Sequence, residues 1–136
     1  MVRSMVLLGA LALGACAPVA YGPPLPGTSV DGSRWQVTEI KGRATPATGD
    51  YRIEFENGRI GARFGCNHIG GPYRQIGNVI HAGQIASTLM SCPEPAATIE
   101  RDAGLILAQP MTMSWTSRDT LELSNRAGGM KLVRVR

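Results

Sequence analysis

Two short blocks hold the side chains that could do chemistry. The first, GARFGCNHIGGPYR at residues 61–74, sets Cys66 next to Asn67 and His68 within a glycine-rich run. The second, ASTLMSCP at residues 86–93, brings in Cys92, and His81 lies between the two. These residue types admit three readings. A cysteine with a histidine in reach can form a thiolate nucleophile, so Cys66 with His68 or His81 is a candidate pair. Such a thiolate wants an exposed, electropositive pocket, and His68 stands only two residues away in what reads as a turn. Two cysteines and two histidines could hold zinc, but their spacing is neither C-x₂-C nor H-x₃-H. The third reading is a tight turn held by a disulfide between Cys66 and Cys92.

Destination bears on that choice. Residues 1–16 read MVRSMVLLGALALGAC, with Arg3 as the basic start and an apolar run from Met5 to Leu13. This is the layout of an export signal. The run is shorter than the roughly 20 residues a bilayer-spanning helix needs. Leu13, Gly14 and Ala15 before Cys16 resemble the bacterial lipobox, which implies cleavage ahead of Cys16 and a diacylglycerol thioether on it. Ala17, rather than an aspartate, follows the cysteine. By the same resemblance this implies an outer-membrane lipoprotein facing the periplasm. The expected organisation is a signal peptide over 1–15, a lipidated cysteine and proline-rich tether over 16–32, and a domain over 33–136. Pro18, Pro23, Pro24 and Pro26 keep the tether extended, at about 3.1 Å per residue. With Cys16 taken by lipid, Cys66 and Cys92 are an even pair bound for an oxidising compartment, and a disulfide is the first reading.

The remaining composition narrows the function. The chain has 136 residues, enough for one domain. Its formal charge is +4, with basic residues spread singly from Arg34 onward; only Arg134 and Arg136 crowd together. That pattern does not describe a nucleic-acid surface. There is no phosphate-binding GKS loop, no G-x-S-x-G elbow and no H-E-x-x-H. Gly65 to Gly71 lacks both the spacing and the β-α-β context of a dinucleotide site. No cofactor and no metal is expected. Aromatic residues are 5% of the chain, so Trp35, Tyr51, Phe55, Phe64, Tyr73 and Trp115 must carry much of the packing.

The elements that position the two blocks can be read from periodicity. In YRIEFENGRIGARFGC, Tyr51, Ile53 and Phe55 alternate with charged residues, Asn57-Gly58 supplies a two-residue turn, and Ile60, Ala62, Phe64 and Cys66 alternate after it. A two-residue loop pairs Glu56 with Arg59, and then Phe55 with Ile60, Ile53 with Ala62 and Tyr51 with Phe64, all on one face. SRWQVTEI reads as a strand with Trp35 and Val37 inward, and a second hairpin is expected around Gly77-Asn78. QIASTLMSC reads as a strand with Ala86, Thr88, Met90 and Cys92 on one face. PEPAATIERDAGLILAQ is the one helix candidate, with Pro and Glu in its first turn and Ile99, Ala103 and Ile106 as its apolar stripe. MTMSWTS, TLELS and MKLVRV give three closing strands, with turns near Arg118-Asp119 and Ala127-Gly128-Gly129. The expected class is mainly β with one helix (α+β), a strongly curved antiparallel sheet or partial barrel.

These blocks resemble the META domain family, the HslJ-like proteins. The resemblance rests on Gly65, Cys66, Asn67, Gly71 and Tyr73, then Thr88, Met90, Cys92 and Pro93, then Glu100 in the helix. It covers about residues 33–135. It implies a small β-rich envelope domain with a loose link to stress response, and no reaction. In this setting Asn67 is expected to adopt a turn conformation or to tie down loop backbone with its amide. Glu100 is either a buried acid bonded to strand backbone or part of an exposed helix face. The expected function is a membrane-anchored envelope lipoprotein acting as a non-catalytic binding module, with the membrane and an envelope protein as partners and no nucleic acid. The alternatives are a small hydrolase using Cys66 and an inhibitor of an extracytoplasmic peptidase.

The anchor generates a direct test. Metabolic palmitate labelling is expected to mark the protein, and Cys16→Ser is expected to abolish the label and release the protein from the membrane fraction. A Cys16→Ser protein that keeps its label would refute lipidation at this position.

Overall fold

The computed structural model describes residues 29–136. The signal segment, Cys16 and most of the tether lie outside the described residues. Eight antiparallel strands close into a barrel: β1 (Ser33–Ile40), β3 (Tyr51–Glu56), β4 (Arg59–Phe64), β5 (His68–Ile76), β6 (Val79–Ala82), β8 (Met111–Ser117), β9 (Thr120–Asn125) and β10 (Gly128–Val135). Two short strands add to it, β2 (Arg43–Ala44) on β1 and β7 (Ala86–Ser87) on β5. Closure comes from β1 pairing with β10, from Arg34 opposite Val135 to Ile40 opposite Met130. Closing a sheet on itself removes the exposed edges on which other chains could pair.

Alternation decides which face becomes the core. β1 places Trp35 and Val37 inward with no exposure, and the polar residues between them face solvent. In the first long hairpin, Glu56 opposes Arg59, Phe55 opposes Ile60, Ile53 opposes Ala62 and Tyr51 opposes Phe64, as the turn chemistry demands. All six apolar members are buried. Trp35, Phe55 and Phe64 are fully buried, each contributing about 1.5–3 kcal/mol relative to exposure. Trp115 is half-buried and meets Trp35 edge-on with ring centroids 5.6 Å apart, while Arg134 lies 4.4 Å above the Trp35 ring.

The hairpin around Gly77-Asn78 forms as expected, with Ile76 opposite Val79. The turn between β8 and β9 also falls at Arg118-Asp119, between Ser117 and Thr120. The last turn is shifted: Asn125 opposes Gly128, so Arg126-Ala127 is the loop and Gly128-Gly129 already belong to β10. Asn125 explains the shift, because its carboxamide oxygen accepts from the Ala127 N–H at 2.9 Å and closes the turn early. The strand expected over residues 84–92 is mostly absent. Only Ala86 and Ser87 pair, and the chain then runs irregularly to the helix. Ala86, Thr88 and Met90 are exposed rather than core-facing.

The single helix among the described residues, α1 (Ala96–Leu107), packs against β1, β4 and β10. Pro95 is its cap, so Pro93 and Glu94 precede the first turn, which carries no acidic residue. Glu94 still acts on that turn from outside, its carboxylate accepting from the Thr98 N–H at 3.2 Å. The buried stripe is Ala103, Ile106 and Leu107, with Ile99 only partly covered. Asp102 shares that face, nearly buried, and is paired with Lys41 at 3.4 Å and with Arg43. The packed domain also begins before residue 33. Val30 is fully buried and its N–H donates to Gln75 Oε1 at 3.1 Å.

Asn57 and Gly58 both have positive φ, 52° and 70°. A β-branched residue is strained there, so Gly58→Val is expected to lower the unfolding free energy by roughly 1–3 kcal/mol. Urea unfolding of the two proteins checks this, and an unchanged midpoint would refute the turn geometry.

Candidate functional site

β4 ends at Phe64 and the chain turns at Gly65, whose N–H donates to the Asp50 carbonyl at 2.8 Å. A Cβ on Gly65 would lie 2.7 Å from the Tyr51 hydroxyl. Cys66 and Asn67 follow, and β5 begins at His68. Across β5 lies the segment from Gln84 to Cys92, anchored by β7, with Ile69 opposite Ser87 and Gly70 opposite Ala86. It can come this close only because residue 71 is glycine. A Cβ there would stand 2.5 Å from the Gln84 carbonyl oxygen. The bend at Gly65–Cys66, the start of β5 and the loop after β7 therefore meet, and His68 to Gly71 are strand residues rather than parts of the expected turn.

Asn67 fills the junction and is 4% exposed. Its Oδ1 accepts from the Met90 N–H at 2.7 Å and from the Thr88 hydroxyl at 2.9 Å. Its Nδ2 donates to Glu100 Oε1 at 2.7 Å, and to the Met90 carbonyl and Cys92 Sγ at 3.2 Å each. The backbone N–H of Asn67 donates to Glu100 Oε2 at 2.8 Å. Because the Met90 N–H can only donate, the amide oxygen must face the loop and the amide nitrogen must face the helix. One primary amide thus joins the turn, the loop and α1. Asn67 adopts neither the left-handed conformation nor a turn, so of its two expected roles it takes the one of tying down loop backbone. Glu100 is half-buried, and its partners are Asn67 backbone and side chain rather than a strand.

Cys66 and Cys92 are bonded to each other, with Cα atoms 6.0 Å apart and a separation of 26 positions in sequence. Both are half-buried and both sit in irregular segments beside strands, not on the core-facing strand positions that alternation suggested. In the chain-entropy description a bridge of this span stabilises by about 3.5 kcal/mol. Among the described residues, Cys66, Cys92 and Glu100 form the one group whose ligand atoms converge, within 4.8 Å. The disulfide commits both sulfurs to each other, and neither histidine joins the group. His68 lies against Gly61 and Gly70 on the outer surface, its backbone N–H donating to the Thr88 hydroxyl at 3.0 Å. His81 sits in β6 opposite Arg74.

Tyr73 serves a separate purpose. Its hydroxyl donates to Asp31 at 2.8 Å and its ring meets Phe55 edge-on at 5.0 Å. Burial, reinforced by the Asp31 carboxylate, pushes the phenol well above its ordinary range. It ties the lead-in segment to the barrel rather than contributing to the loop junction. A cleft of about 260 Å³ also opens beside Arg34, Glu54, Glu56 and Arg134. None of the sequence-derived site residues lines it.

A closed eight-stranded antiparallel barrel with one packed helix and a disulfide-tied loop among the described residues defines a small β-barrel domain. The chain belongs to the META domain family, whose model matches residues 28–136. The fold is similar to an NMR structure of a protein from Burkholderia xenovorans, at 18% identity and a TM-score of 0.69, covering 95% of this chain and 99% of that one. A second NMR structure is similar at 17% identity and a TM-score of 0.65, covering 74% of this chain and 87% of the other. No curated protein matches.

The position of Asn67 makes a sharp prediction. Asn67→Ala leaves the Met90 N–H without its partner and Glu100 with only the backbone N–H of residue 67, and is expected to cost roughly 2–4 kcal/mol of stability. Asn67→Asp sets a second carboxylate against Glu100 and offers it no side-chain N–H, so its deficit is expected to exceed that of Asn67→Ala. Chemical denaturation of the three proteins checks this, and an Asn67→Asp protein as stable as the wild type would refute the contact.

Proposed function

We propose that this protein is a membrane-anchored envelope lipoprotein whose META domain works as a non-catalytic binding module. The observation that carries the reading is the state of Cys66. Its sulfur is bonded to Cys92, and a disulfide sulfur offers no thiolate to attack a substrate. Of the two histidines expected to assist a nucleophile, His68 lies on the outer surface and His81 sits in β6 opposite Arg74, while Asn67 holds the loop. The lipobox-like LGAC sequence and the proline-rich stretch after it support attachment to a membrane through Cys16. Glycine and disulfide chemistry in the two blocks then serves rigidity, and a rigid small domain on a tether acts by what it binds. A link to stress response rests on the family resemblance alone.

The rival is a hydrolase using Cys66, and one measurement separates the two. Thiol titration of the mature protein under denaturing, non-reducing conditions is expected to find no free thiol, and peptide mapping to find Cys66 linked to Cys92. Two free thiols, together with ester or peptide turnover that Cys66→Ser abolishes, would overturn the reading.

A further inference from the structure

The exposed segment Thr88–Met90 is built unlike an ordinary loop. Leu89 is 98% exposed and Met90 63%, an arrangement that leaves a large apolar side chain in water at the very tip. Beyond β7 the Thr88 N–H still bonds the His68 carbonyl, and from Leu89 to Pro93 the chain is irregular, without turn, bend or partner strand. Among the described residues the Leu89 N–H and C=O take no hydrogen bond, while both flanks are fastened. On one side, the Thr88 N–H donates to the His68 carbonyl at 3.0 Å and its hydroxyl to Asn67 at 2.9 Å. On the other, the Met90 N–H and C=O both bond Asn67, and Cys92 is covalently tied to Cys66.

We propose that Thr88–Met90 is a substrate-like loop that seats Leu89 in the apolar primary pocket of a serine endopeptidase and inhibits it. The proposal rests on the binding-module reading and names its partner class. A fixed loop whose Leu89 main chain is unpaired and whose Leu89 side chain protrudes is what such a peptidase reads: the main chain pairs with the cleft and the side chain fills the pocket. A flexible peptide loses much of its binding free energy to ordering; a loop fixed at both flanks does not. The same fixing explains resistance to cleavage. Hydrolysis would add water across the Leu89–Met90 bond, leaving a carboxylate on Leu89 and an amine on Met90. Asn67 holds the Met90 nitrogen, β7 and Thr88 hold the other end, and the disulfide prevents the halves from separating. The two new ends stay opposed, so the bond re-forms with loss of the same water. A lipid surface is the weaker occupant. Ser87, Thr88 and Ser91 flank the tip with hydroxyls, and a bilayer would make no use of a fixed backbone.

The test uses the oxidised mature chain against chymotrypsin and subtilisin, whose primary pockets are apolar, and trypsin, whose pocket takes a basic residue. The wild-type protein is expected to inhibit at least one of the first two and to remain intact. Leu89→Lys, a change at a fully exposed side chain, is expected to weaken that inhibition by roughly 100-fold and to confer inhibition of trypsin. Asn67→Ala, where folded by circular dichroism, is expected to be cut rapidly between Leu89 and Met90. Absence of inhibition of both apolar-pocket enzymes at about 10 μM protein, a affinity floor in the weak micromolar range, overturns the proposal. So does inhibition that Leu89→Lys leaves unchanged, rapid cleavage of the wild type at this bond, or Leu89-dependent binding to phosphatidylglycerol vesicles without inhibition. None of these outcomes depends on a free Cys66 thiol, so failure here is distinct from failure of the binding-module reading.

Discussion

A buried primary amide is costly unless every lone pair and N–H finds a partner, and Asn67 satisfies all of its own by drawing three segments together. That requirement organises this end of the barrel. The amide oxygen fixes the loop after β7, the amide nitrogen and the backbone N–H fix Glu100 on α1, and the disulfide one residue away prevents the loop from drifting. Aspartate has the same shape but no N–H to offer Glu100, and leucine has the volume but no hydrogen bonds. The glycines around Asn67 follow from it, since the loop must lie against β5 to reach the amide.

The helix is held from two directions. Glu100 reaches the Asn67 turn, and two residues later Asp102 reaches Lys41 and Arg43 beyond the end of β1. At its C-terminus the Asn125 amide donates to the Ile106 carbonyl at 2.8 Å, which serves one of the acceptors that a helix end leaves without an internal partner. Its apolar stripe does the rest, with Ala103 and Ile106 fully buried. Polar contacts thus set the helix's position along the barrel, and apolar burial supplies the attraction.

The barrel strands were legible in the sequence because they alternate. Ser33–Ile40 and Tyr51–Phe64 follow the period of two without interruption, and Asn57-Gly58 leaves one register open. The last turn misled because Asn125 closes it with a side chain, which no pattern of hydrophobicity encodes. The Thr88–Cys92 segment misled for a different reason. Its alternation of Ala86, Thr88, Met90 and Cys92 mimics a strand, yet what orders it is Asn67 and a disulfide rather than a partner strand. β2 went unseen because Lys41-Gly42 is an uncommon turn pair, held with Lys41 at a φ of 49° beside its partner Asp102. Cys66 with Cys92 was readable from their number and an expected oxidising destination, whereas the contact between Asn67 and Glu100 spans 33 positions and leaves no local trace.

The seam between β1 and β10 has a consequence for how this chain can be made. Arg34 and Val135 are neighbours in space but roughly 100 residues apart in sequence, and contacts of that span are slow to find. A ribosome delivers β1 first and β10 last. For most of the chain's emergence the opening strand, carrying Trp35 and Val37, has its β3 side to pair with and nothing on the other. The barrel is therefore a structure that closes late, completed only when its final strand arrives.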